Sequence, residues 1–296
     1  MRMNKFISIK ELTSCLHKEQ KNNNVHLDNV TTGFKQLDEL IYGEALPSKL
    51  IVIGGRPAMG KTTFALNMAV KEGIDGVPVA YISTCLNERQ LLSRALSIVR
   101  SASYDSSLSQ RDIENSPILK FTSSPFFLYF NQDLTIDILI SDLKQFVRQN
   151  DIKVVYVDYL QFIAYNEGFD DSDTIGKICF LLKKLAAEMQ ITIVAISELN
   201  RNLEHREGID GKIPQLSDLR GSCVIEELAD VVLMVHRPEY FGVLCDECGN
   251  DLHNLFEVIM SKNSFGHTGK VKLRFNKDSG CVCSWDDSQC LDSPKM

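Results

Sequence analysis

One stretch constrains this chain more than any other. Leu50 to Thr63 reads Leu-Ile-Val-Ile-Gly-Gly-Arg-Pro-Ala-Met-Gly-Lys-Thr-Thr. Leu50 to Ile53 is an apolar run of strand length, Gly55 to Thr62 fits G-x-x-x-x-G-K-[ST], and Phe64 to Val70 continues as a helix. Strand, glycine loop and helix in that order form a cradle for phosphate. Gly55 and Gly60 let the backbone curl so that successive N–H groups point inward. The helix N-terminus adds partial positive charge at the same place. Lys61 is placed to reach the β- and γ-phosphates, and the Thr62 hydroxyl to bind Mg²⁺. Gly55, Arg56, Pro57, Ala58, Met59, Gly60, Lys61, Thr62 and Thr63 therefore form the expected nucleotide-binding segment. The bland alternative is a glycine turn in an ordinary βα unit with Lys61 solvated. The flanking strand and helix argue against it, so the chain is expected to bind a nucleoside triphosphate.

Composition narrows the class without choosing the function. The 296 residues are 44% hydrophobic and 24% charged, which suits one large α/β domain or two small ones. No apolar run approaches the roughly 18 residues that a membrane span needs. Met1 to Lys10 lacks the apolar core of a signal peptide. A triphosphate-using chain without an export signal is expected in a reducing cytoplasm, with its nine cysteines mostly free. The net charge of −7 argues mildly against a surface that grips nucleic acid everywhere, but leaves room for a local basic loop.

The remaining pattern alternates between helices and strands. Residues 1–29 read as an arm, with Ile7, Ile9, Leu12 and Leu16 on one face of a short helix from about Ser8 to Gln20. That arm either frays or docks on a neighbouring subunit. Residues 30–296 are expected to form the main domain. Strands are predicted at Val79–Ser83, Phe126–Phe130 (a buried-looking one), Lys153–Asp158, Ile191–Ile196 and Val231–Val235, with a hairpin-like pair at Leu255–Met260 and Lys270–Phe275. Helices are predicted at Glu88–Val99, Thr135–Gln149 and Thr174–Met189, and a long polar loop at Glu198–Ser222. Apolar, non-alternating strands separated by helices imply an α/β fold: a mostly parallel sheet covered on both faces. Asp158, at the carboxyl end of its strand, is the expected second Mg²⁺ ligand, since a phosphate loop needs a carboxylate on a neighbouring strand.

Several segments then share one resemblance. Thr32-Gly33-Phe34 with Leu37-Asp38, the loop Gly55 to Thr63, Asp158-Tyr159-Leu160-Gln161, Leu199-Asn200-Arg201 and Ser217-Asp218-Leu219-Arg220 resemble the C-terminal, RecA-like motor domain of DnaB-type replicative DNA helicases. The resemblance covers about Val30 to Asp286, so the family's separate N-terminal domain is expected to be absent. It implies a RecA-like ATPase that uses ATP and Mg²⁺ and acts in DNA replication. It also implies a hexameric ring with ATP at subunit interfaces and single-stranded DNA in the pore. A helicase loader or a full-length helicase are possible partners on this resemblance, and the arm matches the family's linker helix. Lys61, Thr62 and Asp158 carry over as phosphate and metal residues. The loop Asn200 to Ser222 would face the pore, with Arg201, Arg206, Lys212 and Arg220 as DNA-binding candidates. The alternative for those four is a solvated loop.

The departures from the family pattern fall at reaction and pore positions. Cys85 stands where the family has a water-polarising Glu, and Glu88 lies three residues on, in the expected first turn of a helix. Glu198 replaces a Gln that senses the γ-phosphate, and is the remaining candidate for a base. Lys262 is kept as a candidate trans-acting residue, but Ser264 occupies the place of the arginine finger; Gly221 and Cys223 stand where the pore motif has Glu and Gly. Cys245-x-x-Cys248 and Cys281-x-Cys283 could be halves of a zinc site, although free thiols are the simpler expectation. The helicase reading therefore competes with a paralogue that binds ATP and joins or regulates a ring with weakened catalysis. A recombination or repair ATPase fits the Asp-Tyr-Leu-Gln and Ser-Asp-Leu-Arg segments less well.

Overall fold

The computed structural model describes residues 31–41, 48–102, 116–131, 134–166, 172–208 and 210–285; the expected N-terminal arm lies outside them. The apolar runs become the strands of one sheet: β1 (Leu50–Gly55), β2 (Val79–Ser83), β3 (Phe126–Phe130), β4 (Val154–Asp158), β5 (Thr192–Glu198), β6 (Val231–His236), β7 (Leu255–Asn263), β8 (Gly269–Phe275) and β9 (Val282–Ser284). Their order is β3-β2-β4-β5-β1-β6-β7-β8-β9. From β3 to β6 every pairing is parallel, and β7, β8 and β9 are added antiparallel.

Parallel strands are buried on both faces, which is why they read as continuous apolar runs. All five residues of β4 are buried. Val154 and Tyr156 join the core on one face of the sheet, and Val155 and Val157 the core on the other. The first face is covered by α1 (Lys35–Ile41), α2 (Lys61–Ile74), α3 (Glu88–Ala102) and α4 (Pro117–Thr122). The second is covered by α5 (Ile136–Asn150), α6 (Leu160–Asn166), α7 (Ser172–Met189) and α8 (Ser222–Leu228). The Thr135 hydroxyl starts α5 by accepting from the Ile138 N–H, satisfying one of the donors that a helix N-terminus leaves open.

Two expectations need correction. β3 is only half-buried along its whole length, because it lies at the sheet edge and has a strand on one side only. Asp158 is not beside the phosphate-loop strand, because β5 lies between β4 and β1. The long polar segment after β5 is also more ordered than its composition suggests. It contains 3₁₀ turns at Arg201–His205, Asp210–Lys212 and Leu216–Asp218. Its ends are pinned together by a Leu199–Leu219 bridge and by the Arg220 N–H, which donates to the Glu198 carbonyl.

A buried polar pair joins α2 to the sheet. The Tyr156 hydroxyl donates to Glu72 Oε2 at 2.8 Å, and both residues are buried. Burial pushes the Glu72 carboxyl well above its ordinary 4.5; the Tyr156 hydrogen bond opposes this, and Asp38 and Asp75 add to it. As pH rises above 4.5 the unfolded chain releases this proton while the folded one keeps it, so stability falls with rising pH until the folded carboxyl also ionises. Glu72→Gln removes that loss while keeping an acceptor for Tyr156. Its stability relative to wild type should therefore be higher at pH 8 than at pH 5, by about 1.4 kcal/mol for each pH unit in that interval over which the folded carboxyl stays protonated and the unfolded one does not. Urea unfolding midpoints at the two pH values check this, and an equal difference at both would refute it.

Candidate nucleotide site

The phosphate loop leaves β1 at the carboxyl edge of the sheet and re-enters α2 at Lys61. Gly60 has φ 95° and caps α2 in the left-handed region, and Ala58 also has positive φ, 63°. The second glycine of the motif is thus required by backbone geometry. Gly55 is required by space: a Cβ there would meet Val235 Cγ2 at 2.5 Å. The Lys61 ammonium donates to the Arg56 carbonyl at 3.0 Å, which folds the side chain back over the loop. Desolvation lowers its pKa, while Glu198 and Asp158 push it back up.

Beside the loop, Asp158 ends β4 with 2% of its surface exposed. The Thr62 hydroxyl donates to Asp158 Oδ1 at 3.2 Å, and the Tyr81 hydroxyl donates to Oδ2 at 3.0 Å. Desolvation raises the carboxyl to about 6, against the lowering effects of Thr62, Tyr81, Lys61 and Arg94. The Asp158 backbone is also held: its carbonyl accepts from both the N–H and the hydroxyl of Thr84, each at 2.9 Å. A hydroxyl and a carboxylate already in contact offer the hard oxygen donors that Mg²⁺ prefers alongside substrate phosphates, so the residues fit that ion.

Glu198 closes β5 level with Gly55 and is half-buried. Gln161 fixes that strand end, accepting from the Glu198 N–H at 3.0 Å and donating to the Ser197 hydroxyl at 2.9 Å. Cys85 follows β2 and is exposed, and its thiol is raised chiefly by desolvation. Glu88 is the first residue of α3 and is also exposed.

The basic residues of the polar segment divide by role. The Arg206 guanidinium pairs with the Asp218 carboxylate, and the Lys212 ammonium donates to the Glu204 and Arg206 carbonyls at 2.8 and 2.6 Å. Both brace the segment from inside. Arg201 is exposed and Arg220 is half-buried. Arg56 of the phosphate loop reaches the same segment, donating to Glu204 Oε1 at 2.6 Å, with its guanidinium 5.2 Å from the centre of the Phe241 ring.

Lys262 and Ser264 sit at the opposite edge of the sheet. Asn263 pairs with Val231, and Val231 pairs with Ile51 near the start of β1. Four residues of strand separate Ile51 from Gly55, roughly 13 Å at 3.3 Å per residue. The Lys262 ammonium donates to the Glu226 and Glu227 carbonyls at the end of α8 (2.5 and 3.3 Å). Ser264 is exposed, and its N–H donates to the Asp230 carbonyl.

Among the described residues, no three His, Cys, Asp or Glu gather as a metal site. Cys245 and Cys248 are exposed free thiols, Cys281 is buried, and Cys283 is disulfide-bonded. Among the same residues no helix is long and apolar enough to cross a membrane. Sequence reasoning gave no role to Tyr81, Thr84, Gln161 or Glu204. Gln161 stood in the Asp-Tyr-Leu-Gln segment, and Tyr81 carried a signal of its own, since a tyrosine in the middle of an apolar strand needs a partner for its hydroxyl.

The comparisons with known proteins follow this geometry. A probable plasmid replicative DNA helicase of Chlamydia psittaci is 31% identical over 86% of this chain and 55% of its own length. The replicative DNA helicase DnaB of Haemophilus influenzae is 32% identical over 86% of this chain and, again, 55% of its own length. The chain thus spans little more than half of these relatives. A solved DnaB-like replicative helicase, described together with its interactions with primase, superposes with TM-score 0.76 and 26% identity over 95% of this chain and 68% of that one. A solved ATPase domain matches with TM-score 0.77 and 26% identity over 95% of this chain and 100% of that one. The DnaB-like helicase C-terminal domain family matches residues 29–281, and the chain belongs to that family.

Proposed function

We propose that this chain is the ATP-driven motor domain of a replicative DNA helicase, which moves as a ring along single-stranded DNA. The observation that carries this reading is the Thr62–Asp158 contact beside a fully formed phosphate loop, in a domain of the DnaB-like family. The loop amides and Lys61 bind the triphosphate. Thr62 and Asp158 would hold Mg²⁺, which when bound would withdraw charge from the phosphates. Glu198, level with the first glycine of the loop, is the carboxylate placed to orient the attacking water. Arg201 and Arg220 contact DNA phosphates from a segment that Arg206 and Lys212 keep in shape. Lys262 and Ser264, at the far edge of the sheet, are placed to serve a neighbouring subunit and not their own site, which supports the ring. A primase, a loader or a full-length helicase would be its partners.

A second reading has its own observation. Cys85, the residue at the family's water-polarising position, carries a thiol pushed toward its neutral form. That favours a subunit that binds ATP well and turns it over slowly. Steady-state hydrolysis with and without single-stranded DNA, with Lys61→Ala as the blank, separates the two readings.

Three outcomes are expected. Mg²⁺ with ATP at a hundred times its dissociation constant should stabilise the fold by about 2.7 kcal/mol. The thermal midpoint should rise in wild type and stay in place in Lys61→Ala; no rise in wild type would remove the nucleotide site. In turnover assays, Cys85→Glu with Ser264→Arg should raise the rate above either change alone, because both groups act on the transition state. Brisk wild-type hydrolysis abolished by Glu198→Gln would instead make Glu198 the base, and brisk hydrolysis insensitive to all three would overturn the assignments. Finally, light scattering with Mg²⁺ and ATP should find an oligomer, and a monomer at every concentration would exclude the ring.

A further inference from the structure

Two tyrosines stand side by side on the face of the sheet that carries α2. Tyr81 of β2 pairs in register with Tyr156 of β4, and their rings stack at 5.5 Å with an interplanar angle of 11°. Neither is exposed to solvent. Their hydroxyls end on different carboxyls. Tyr156 donates to Glu72 on α2, and Tyr81 donates to Asp158 Oδ2 at 3.0 Å. The other Asp158 oxygen, Oδ1, takes the Thr62 hydroxyl at 3.2 Å.

We infer that Tyr81 is a positioning residue for Asp158, its hydroxyl holding one carboxylate oxygen so that the other faces Thr62 and the divalent cation. This rests on the Mg²⁺–ATP reading of the site. A carboxylate on a strand end can rotate about its side-chain bonds, and each rotation away from Thr62 removes an oxygen from the metal. Thr84 fixes the Asp158 backbone but touches only its carbonyl. Among the described residues the hydroxyls of Thr62 and Tyr81 reach the carboxylate, and that of Tyr81 is the one that does not come from the phosphate-loop helix. The Tyr81 ring cannot follow a rotating carboxylate, because Tyr156 covers its face and its strand lies between β3 and β4. Without that hydroxyl, Oδ2 would be a buried acceptor with no partner, and an unmet buried acceptor drives a side chain to reorient or to take up a proton.

The test uses the full chain and two isosteric changes, Tyr81→Phe and Tyr156→Phe. Each removes one hydroxyl from the same stacked pair and leaves a buried carboxyl without it, but only the first touches Asp158. Thermal midpoints are titrated with Mg²⁺ at saturating ATP, and separately measured with ATP in EDTA. In Tyr81→Phe the Mg²⁺ concentration giving half the shift should rise roughly tenfold, the size expected for one hydrogen bond to a charged group. The shift with ATP in EDTA should stay at its wild-type value, and Tyr156→Phe should keep the wild-type Mg²⁺ dependence. A Tyr81→Phe titration that overlays wild type overturns the inference, as does an equal displacement in both variants. A wild type with no Mg²⁺-dependent shift overturns the underlying reading, and the inference with it. A parallel measurement does not depend on Tyr81→Phe folding. Mg²⁺ added to ATP-loaded wild type should perturb the ultraviolet absorbance of a buried tyrosine, and the change should persist in Tyr156→Phe. Absence of that change in wild type counts against the positioning role.

Discussion

To serve as the proposed metal ligand, Asp158 has to remain charged in a place that disfavours charge. It is 2% exposed, and desolvation raises its carboxyl to about 6. What opposes this is local: the Thr62 and Tyr81 hydroxyls, the Lys61 ammonium and, further out, Arg94. Three elements must therefore be in register before the site exists: β4 supplies the carboxylate, β2 the tyrosine, and α2 the threonine and lysine. The parallel pairing of β2 with β4, Ser83 beside Asp158, is the constraint that meets this condition. A slip of one residue would turn Tyr81 to the other face of the sheet.

The same sheet separates two kinds of group by its direction. Parallel strands bring Gly55, Ser83, Asp158 and Glu198 to one edge. β7 runs the other way, so its last residues fall at the opposite edge, near Val231. Within one chain, the groups proposed to bind phosphate and metal are gathered at that first edge. Groups at the far edge cannot reach that chain's own nucleotide, and Lys262 meanwhile caps α8 through carbonyls that a helix end leaves open. The antiparallel extension thus makes any role for Lys262 or Ser264 a matter between subunits.

Much of this was legible in the chain itself, for reasons that differ by element. The six parallel strands and their helices follow from apolar runs that do not alternate, and Lys61, Thr62 and Asp158 from a motif whose spacing encodes its own geometry. The edge position of β3 was not legible, because Phe126 to Phe130 is as apolar as a central strand and its exposure depends on sheet order. β9 and the short helices α4 and α6 carry too few residues to show a period. The four basic residues of the polar segment looked alike in sequence. Only tertiary contacts distinguish Arg206 and Lys212, held within the segment, from the exposed Arg201. Tyr81 announces a hydroxyl in need of a partner, but only register shows that the partner is Asp158.

Binding and turnover rest on separable groups in this site. On the proposed reading the loop amides, Lys61, Thr62 and Asp158 would touch phosphate or metal in the ground state, and all have the residue types that such contacts require. By resemblance to the family pattern, Cys85 and Ser264 stand where groups would act only once charge begins to move, one on the attacking water and one on the transferred phosphate. Losing such groups leaves the folded site intact, because neither packs in the core: both are exposed. Asp158 cannot be given up in that way, since it is buried and satisfies the hydroxyls of Thr62 and Tyr81. A chain released from the need for fast hydrolysis would therefore be expected to lose its exposed, transition-state groups first and its buried, ground-state groups last. Glu198 lies between these cases. It is half-buried at the strand end beside the loop, where it raises the Lys61 pKa against desolvation. That effect on Lys61 stands whether or not Glu198 also orients water.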